Sequence, residues 1–289
     1  MKEEPGITVA EHILSAPAGP AVDAACTIDL VSWGVPFRLA AETPILLDRM
    51  RKLAPFGSVP CPHPSASAHT VALHGPHSRT EFQLFCNQEL IAEEVSLDAL
   101  LDQLGGHLII HVAEHAPDYI FVHAGVVAWR GRAIILPGVS FAGKSSLVAE
   151  LVRAGATYYS DEFALIDQEG LVHPFLRELR MRRPDRPEQM PVPIDQLQGL
   201  AGTGAIPIGL IVFTQFEANA RWTPEPLSPG RAALELLLHT LPVQRTPARV
   251  LATFSAVMNR ARAWRSPRGE ATDVVSSLLS ALEAEGELL

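Results

Sequence analysis

The amino-acid sequence predicts an α/β protein in two parts: a small β-rich α+β domain over residues 1–95, then a larger domain with a mixed sheet over residues 96–289. Short apolar runs bounded by Gly, Pro, Asn or His fill the first part. In the second, a strand, a glycine-rich loop and a helix follow one another at residues 133–155, and further apolar runs alternate with helical stripes.

Residues 1–25 are rich in Ala and Pro and read as a loose lead-in. Thr27–Val31, Thr70–Leu73 and Phe82–Phe85 read as strands, with one helix near Pro44–Leu53. Pro55, Pro60, Pro62 and Pro64 make residues 55–67 a loop. From Ser96, a suitable cap, Leu100, Leu101, Leu104, Leu108 and Val112 keep an apolar stripe to Ala116. Gly105-Gly106 leaves open whether this is one helix or two. Ile120–Trp129 and Ala133–Leu136, separated by Arg130-Gly131, predict an antiparallel hairpin. Leu147, Val148, Leu151 and Val152 predict a helix ending at Gly155. A strand then ends in Asp161-Glu162, expected to return beside the strand that enters the glycine-rich loop. Phe163–Asp167 and Leu171–Phe175 read as a second hairpin. The arginines and prolines of residues 177–196 suggest an irregular loop, Ile206–Phe216 a buried strand, and Ala232–Leu241, Ala248–Trp264 and Asp273–Glu285 helices.

Residues 138–145, Gly-Val-Ser-Phe-Ala-Gly-Lys-Ser, fit the phosphate-loop pattern G-x-x-x-x-G-K-[ST] in full. Gly138 and Gly143 permit tight turns, partly at positive φ, that point successive N–H groups at a polyphosphate. Val139, Ser140, Phe141 and Ala142 lie between them, and Ser146 follows. Lys144 brings a mobile charge for the outer phosphates, Ser145 a hydroxyl for Mg²⁺, and the helix start a favourable dipole. The expected ligands are ATP or GTP with Mg²⁺. A phosphate loop alone does not separate a kinase from a hydrolase or a switch, so carboxylates near Lys144 must decide. Asp161 and Glu162 are the candidates: one to hold Mg²⁺, one to accept the proton of an attacking hydroxyl.

A formal net charge of −9 argues against nucleic acid or an anionic membrane as the main partner. Cys26, Cys61 and Cys86 are odd in number and widely spaced, which suits a reducing compartment. Met1–Pro5 lacks a signal-peptide pattern and no long apolar run occurs, so the expected location is the cytoplasm.

His123-Ala124-Gly125, the hairpin, Gly138–Ser145 and Tyr159-Ser160-Asp161-Glu162 together resemble the catalytic domain of HPr kinase/phosphorylase, and more closely the HPr-kinase-related proteins that include lasso-peptide kinases. The resemblance covers about residues 119–183. It implies a P-loop fold of the HPr-kinase type and an ATP-dependent kinase. Asp161 would activate the acceptor hydroxyl, Glu162 would assist metal binding, and His123 would sit beside the transferred phosphate. Read from the residues alone, a single His inside an apolar strand such as His123 is more often a packed core side chain, and the resemblance supplies most of the case for a catalytic one. Glu178-Leu179-Arg180-Met181-Arg182 lacks the glycines of the family's second signature, so the implied acceptor is a serine-type hydroxyl on a peptide, another protein or a small metabolite. Relatives of this kind form rings, which leaves homo-oligomerisation open here.

Arg180 and Arg182 are the chosen phosphate or acidic-peptide contacts, weighed equally against a solvated loop. His111-Val112-Ala113-Glu114-His115 matches H-x-x-E-H, with His107 one turn earlier, but a polar helix surface is the preferred reading. Trp129 and Trp222 carry no assigned chemistry. The competing functions are a nucleotide-gated binding or scaffold protein and a simple NTP hydrolase.

Overall fold

The structure is a computed structural model and describes residues 26–63, 69–75, 81–139, 142–183 and 186–283, without the side chains of residues 182–189 and Pro242. The expected lead-in at 1–25 lies outside these residues. The chain forms two compact units. One holds residues up to Leu30, Pro36–Leu53 and Pro60–Gly106, and the other Val31–Val35, Ala54–Val59 and His107–Leu289.

Most of the first unit is the sheet of strands β1 (Cys26–Ser32), β2 (Val35–Ala41), β3 (Val59–Pro60), β4 (His69–His74), β5 (Phe82–Cys86) and β6 (Glu89–Glu94), in the order β3-β1-β2-β4-β5-β6; Val31, Ser32, Val35 and Val59 of these strands belong to the second unit. Strands β2 and β6 are not legible in the sequence, and β3 is a short strand within residues 55–67, where the prolines predict only a loop. Helix α1 (Pro44–Arg51) starts where Thr43 Oγ1 accepts the Leu46 N–H at 3.3 Å, and Pro44 fits the first turn because its missing N–H is not needed there. Phe37, Leu39, Met50, Val71, Leu73, Leu84, Leu100 and Leu104 form its fully buried apolar centre.

Helix α2 (Leu97–His115) is one helix, not two. Ser96 caps it as expected, its hydroxyl accepting the Ala99 N–H at 3.4 Å. The apolar stripe on both sides of Gly105-Gly106 outweighs the roughly 1 kcal/mol per-residue propensity cost of each glycine.

In the second unit, β7 (Tyr119–Trp129) and β8 (Arg132–Pro137) form the expected hairpin. Arg130 and Gly131 both take positive φ, 50° and 75°, the backbone of a type I′ turn. Helix α3 (Lys144–Arg153) follows, then β9 (Thr157–Ser160), β10 (Phe163–Asp167) and β11 (Leu171–His173). Strand β9 pairs with β7, not with β8; the other neighbour of β8 is β14 (Ile206–Phe216), which runs parallel to it.

Two expectations change. Residues 179–192 are not an irregular loop but the hairpin β12 (Leu179–Arg183) and β13 (Arg186–Val192). Leu179 is buried and Arg180 exposed, a strand alternation, and a separate two-stranded ribbon leaves the prolines free edges on which no N–H is required. The helix expected over 248–264 stops early: α5 (Pro247–Met258) ends at Asn259, and Arg262–Arg268 is a strand. With the short β15 (Glu225–Pro226) before it, that strand is β16, and it runs parallel to β14. Its polar residues hid it, because Ser266 and Arg268 are buried where apolar residues are usual.

The eight-stranded sheet has the order β11-β10-β7-β8-β14-β16-β15, with β9 beside β7. Strand β11 also pairs with the start of β14. Side chains alternate between its faces. Val126, Ile135, Ile211 and Phe213 pack with Leu236 of α4 (Pro229–Leu237) and Phe254 of α5. Val127, Ile134 and Val212 pack with Leu147, Val148 and Leu151 of α3 and Leu278 and Leu282 of α6 (Val275–Glu283). The result is a mixed sheet between two helical layers. Among the described residues, no helix is long and apolar enough to cross a membrane.

Candidate phosphate and carboxylate site

Strands β8, β14 and β16 are mutually parallel and end at Pro137, Phe216 and Arg268. Their C-terminal ends hold the loop that leads into α3, the edge at which α/β sheets commonly receive ligands. The Phe216 N–H donates to the Ala142 carbonyl at 3.2 Å, and Arg268 Nη2 donates to the Gly143 carbonyl at 2.7 Å. Arg268 is buried, its second terminal nitrogen donates to the Gly269 carbonyl at 2.9 Å, and its guanidinium lies 5.9 Å from the centre of the Phe216 ring. Burial lowers its pKa.

Gly143 has φ +84°, and a Cβ there would lie 2.6 Å from Arg268 Nη2, so glycine is required for conformation and for space. Gly138 serves differently from Gly143. It does not take positive φ, and its use is room: a Cβ there would come within 3.3 Å of Ala142 Cβ. Ser140 and Phe141 lie outside the described residues. Val139 and Ser146 are exposed, and Ala142 is buried.

Lys144 opens α3 and folds back over the loop, donating to the carbonyls of Gly138 at 2.7 Å and Val139 at 2.8 Å. Burial pushes its ammonium down to about 8, against the opposing pull of Asp161 and Glu162. In the next position, Ser145 Oγ donates to Asp161 Oδ2 at 3.0 Å. The Arg180 N–H lies at 3.5 Å from the same oxygen, and Tyr158 Oη lies 3.4 Å from Oδ1. Burial pushes the Asp161 carboxyl up to about 6, although the Ser145 hydroxyl and the Arg180 N–H favour its charged form. The buried Tyr158 hydroxyl, raised in pKa by the same burial and by Asp161, donates to the Arg177 carbonyl at 2.7 Å.

The turn carrying the two acids is set by Ser160. This fully buried hydroxyl accepts the N–H groups of Glu162 at 3.1 Å and Phe163 at 3.0 Å. Glu162 forms an ion pair with Arg177, and its carbonyl accepts the Ala124 N–H at 3.0 Å.

His123 lies half-buried on β7 next to this turn, where it pairs with Phe163. Its carbonyl accepts the Gly138 N–H at 3.3 Å, and its own N–H donates to the His239 carbonyl at 2.7 Å. Burial, with the charges of Lys144 and His239 added, pushes its imidazole down to about 4. His239 is likewise lowered by burial and by Lys144. Both are neutral at pH 7.

Lys144, Ser145, Asp161, Glu162 and His123 therefore share one neighbourhood. Arg180 reaches it through its backbone while its side chain is exposed; Arg182 lies on β12 with its side chain outside the described residues. Sequence reading missed Ser160, Tyr158, His239 and Arg268 as members, and within the arginine-rich segment it chose Arg180 and Arg182 over Arg177. A serine directly before the acid pair is a local signal for the first; His239 and Arg268 arrive from remote elements and carry none.

Ser145 Oγ and Asp161 Oδ2 at 3.0 Å are hard oxygen donors side by side, the donor chemistry that Mg²⁺ takes, and Glu162 adds a further carboxylate at the neighbouring position. The H-x-x-E-H stretch lacks such a set. His111 and His115 share a helix face with ring centres 4.4 Å apart, but Glu114 pairs with Arg245 at 3.5 Å, and His115 Nδ1 lies 2.8 Å from the His111 carbonyl. Among the described residues, no group of three ligating side chains includes either histidine.

No protein-family model matches the chain, and no curated protein matches it.

Proposed function

We propose that the chain is a Mg²⁺-dependent phosphotransferase of the HPr-kinase-related kind, with a P-loop fold, moving the γ-phosphoryl group of ATP or GTP to a serine-type hydroxyl on a peptide, a protein or a small metabolite. The single observation that carries this reading is the 3.0 Å bond between Ser145 and Asp161, which sets a carboxylate with raised pKa beside the glycine-rich loop and Lys144.

Lys144 would leave the Gly138 and Val139 carbonyls for the phosphate oxygens, where its charge and the loop N–H groups offset the charge that develops on transfer. Asp161, ionised above about pH 6, would take the acceptor's proton as the acceptor oxygen bonds to the γ-phosphorus and the bond to the β-phosphate oxygen breaks, releasing the diphosphate. Ser145, Asp161 and Glu162 would hold Mg²⁺, which neutralises charge between the phosphates. His123, neutral, would border the transferred group as a hydrogen-bonding partner rather than as a cation. Arg180 and Arg182 would meet an anionic part of the acceptor. The net charge of −9 supports acceptors other than nucleic acid.

Incubation of the full chain with γ-labelled ATP and serine-containing peptides should yield a phosphorylated acceptor, lost in Asp161→Asn. Phosphate release in water alone would favour a hydrolase. Tight nucleotide binding without turnover, coupled to peptide affinity, would favour a nucleotide-gated scaffold.

A further inference from the structure

Arg177 stands where β11 gives way to β12, and its two ends are tied differently. Its carbonyl is held by the buried Tyr158 hydroxyl at 2.7 Å. Its guanidinium reaches across to Glu162, with 41% of the Arg177 side chain and 28% of the Glu162 side chain exposed. The same positive charge helps to keep Asp161 ionised. The backbone is thus anchored while the charged end sits in a half-open ion pair, which costs little to exchange.

Glu162 is also a carboxylate to which the phosphotransferase reading gives Mg²⁺. A divalent cation and a guanidinium repel at one carboxylate, so occupancy of Glu162 by one disfavours the other. A guanidinium freed beside a triphosphate finds oxygens that its planar fork matches in pairs. We propose that Arg177 is a displaceable partner of Glu162: it yields the carboxylate to Mg²⁺ and transfers to the terminal phosphate, making it a specificity-determining residue for triphosphate over diphosphate. This assignment rests on the phosphotransferase reading and adds to it the arginine that the sequence pattern did not single out. Arg180, exposed and joined to Asp161 through its N–H, is not that residue.

The test uses the full chain, Mn²⁺ binding followed by electron paramagnetic resonance, and calorimetric titration of AMP-PNP and ADP with Mg²⁺. Arg177→Gln should tighten Mn²⁺ binding about two- to fivefold, the worth of a half-exposed ion pair. It should also cut the preference for AMP-PNP over ADP about tenfold, the worth of a hydrogen bond to a charged group. Glu162→Gln should weaken Mn²⁺ binding and keep that preference. Unchanged or weaker Mn²⁺ binding in Arg177→Gln, or an unchanged nucleotide preference, overturns the proposal. Wild-type protein that binds neither nucleotide overturns it together with the phosphotransferase reading. Wild-type binding with an unresponsive Arg177→Gln overturns it alone.

Discussion

The backbone N–H of His123 donates to the carbonyl of His239 at 2.7 Å, while the His123 carbonyl accepts the N–H of Gly138 at 3.3 Å. One peptide segment in the middle of β7 thus joins the residues after α4 to the first residue of the glycine-rich loop. The side chain of His123 inherits an enclosed, cation-flanked position from these backbone bonds, and its lowered pKa follows.

That pKa makes His123 a measurable acid-side liability. Its folded value of about 4 lies below the ordinary 6.5, so its contribution to stability is full above pH 6.5 and is lost as pH falls through 4. His123→Gln should therefore lose less stability than wild type between pH 6.5 and 4, by roughly 1–2 kcal/mol once solvent screening is allowed for. Urea unfolding at a series of pH values measures this; parallel curves for the two proteins would refute it.

Asp161 works in the opposite sense. Its folded value of about 6 lies above the ordinary 3.8, so its contribution is full below 3.8 and is lost as pH rises through 6. Asp161→Asn should unfold at higher urea than wild type at pH 8, with the advantage shrinking at pH 5. Phosphoryl transfer should fall by about a hundredfold or more, as for loss of a general base. A less stable variant at pH 8 would mean that the Ser145 hydrogen bond outweighs burial.

Lys144 carries a burial cost at neutral pH, because its pKa of about 8 lies below 10.5; its contribution is full only above 10.5 and is lost as pH falls through 8. Lys144→Met should keep or raise the melting temperature at pH 7 and weaken ATP binding about ten- to hundredfold. In wild type, ATP affinity should decline as pH rises through 8. Calorimetric titration checks both, and unchanged affinity in Lys144→Met would remove the basis for the nucleotide reading.

Arg268 tests how the loop is held. Arg268→Ala removes a buried side chain and its bonds to the Gly143 and Gly269 carbonyls, and should cost about 2–4 kcal/mol of stability. Gly143→Ala should lose nucleotide affinity by a separate route, since its φ of +84° is strained for a side chain and the new Cβ meets Arg268. Chemical denaturation and ATP titration of each variant separate the two effects; near-wild-type stability in Arg268→Ala would show that the loop stands without it.

Much of the layout was legible because it is local. Alternation and turn chemistry defined the β7–β8 hairpin, the stripe and Ser96 defined α2, and spacing defined α3. Strands β12, β13 and β16 were illegible for a shared reason. Prolines and arginines obscure a strand's alternation, and only the partner strands, or a buried environment such as that of Arg268, make those residues acceptable there.

By itself, the sequence determined the mixed α/β composition, the glycine-rich turn before α3, and the adjacency of Asp161 and Glu162 to a strand end. Tertiary structure alone decided that β9 returns beside β7, that Ser145 meets Asp161, that Arg177 faces Glu162, and that His239 and Arg268 close around the loop. The physical reason is range: dihedral preference and apolar period act within a few residues, whereas buried charges and hydrogen bonds are satisfied by whatever the packed sheet brings near them.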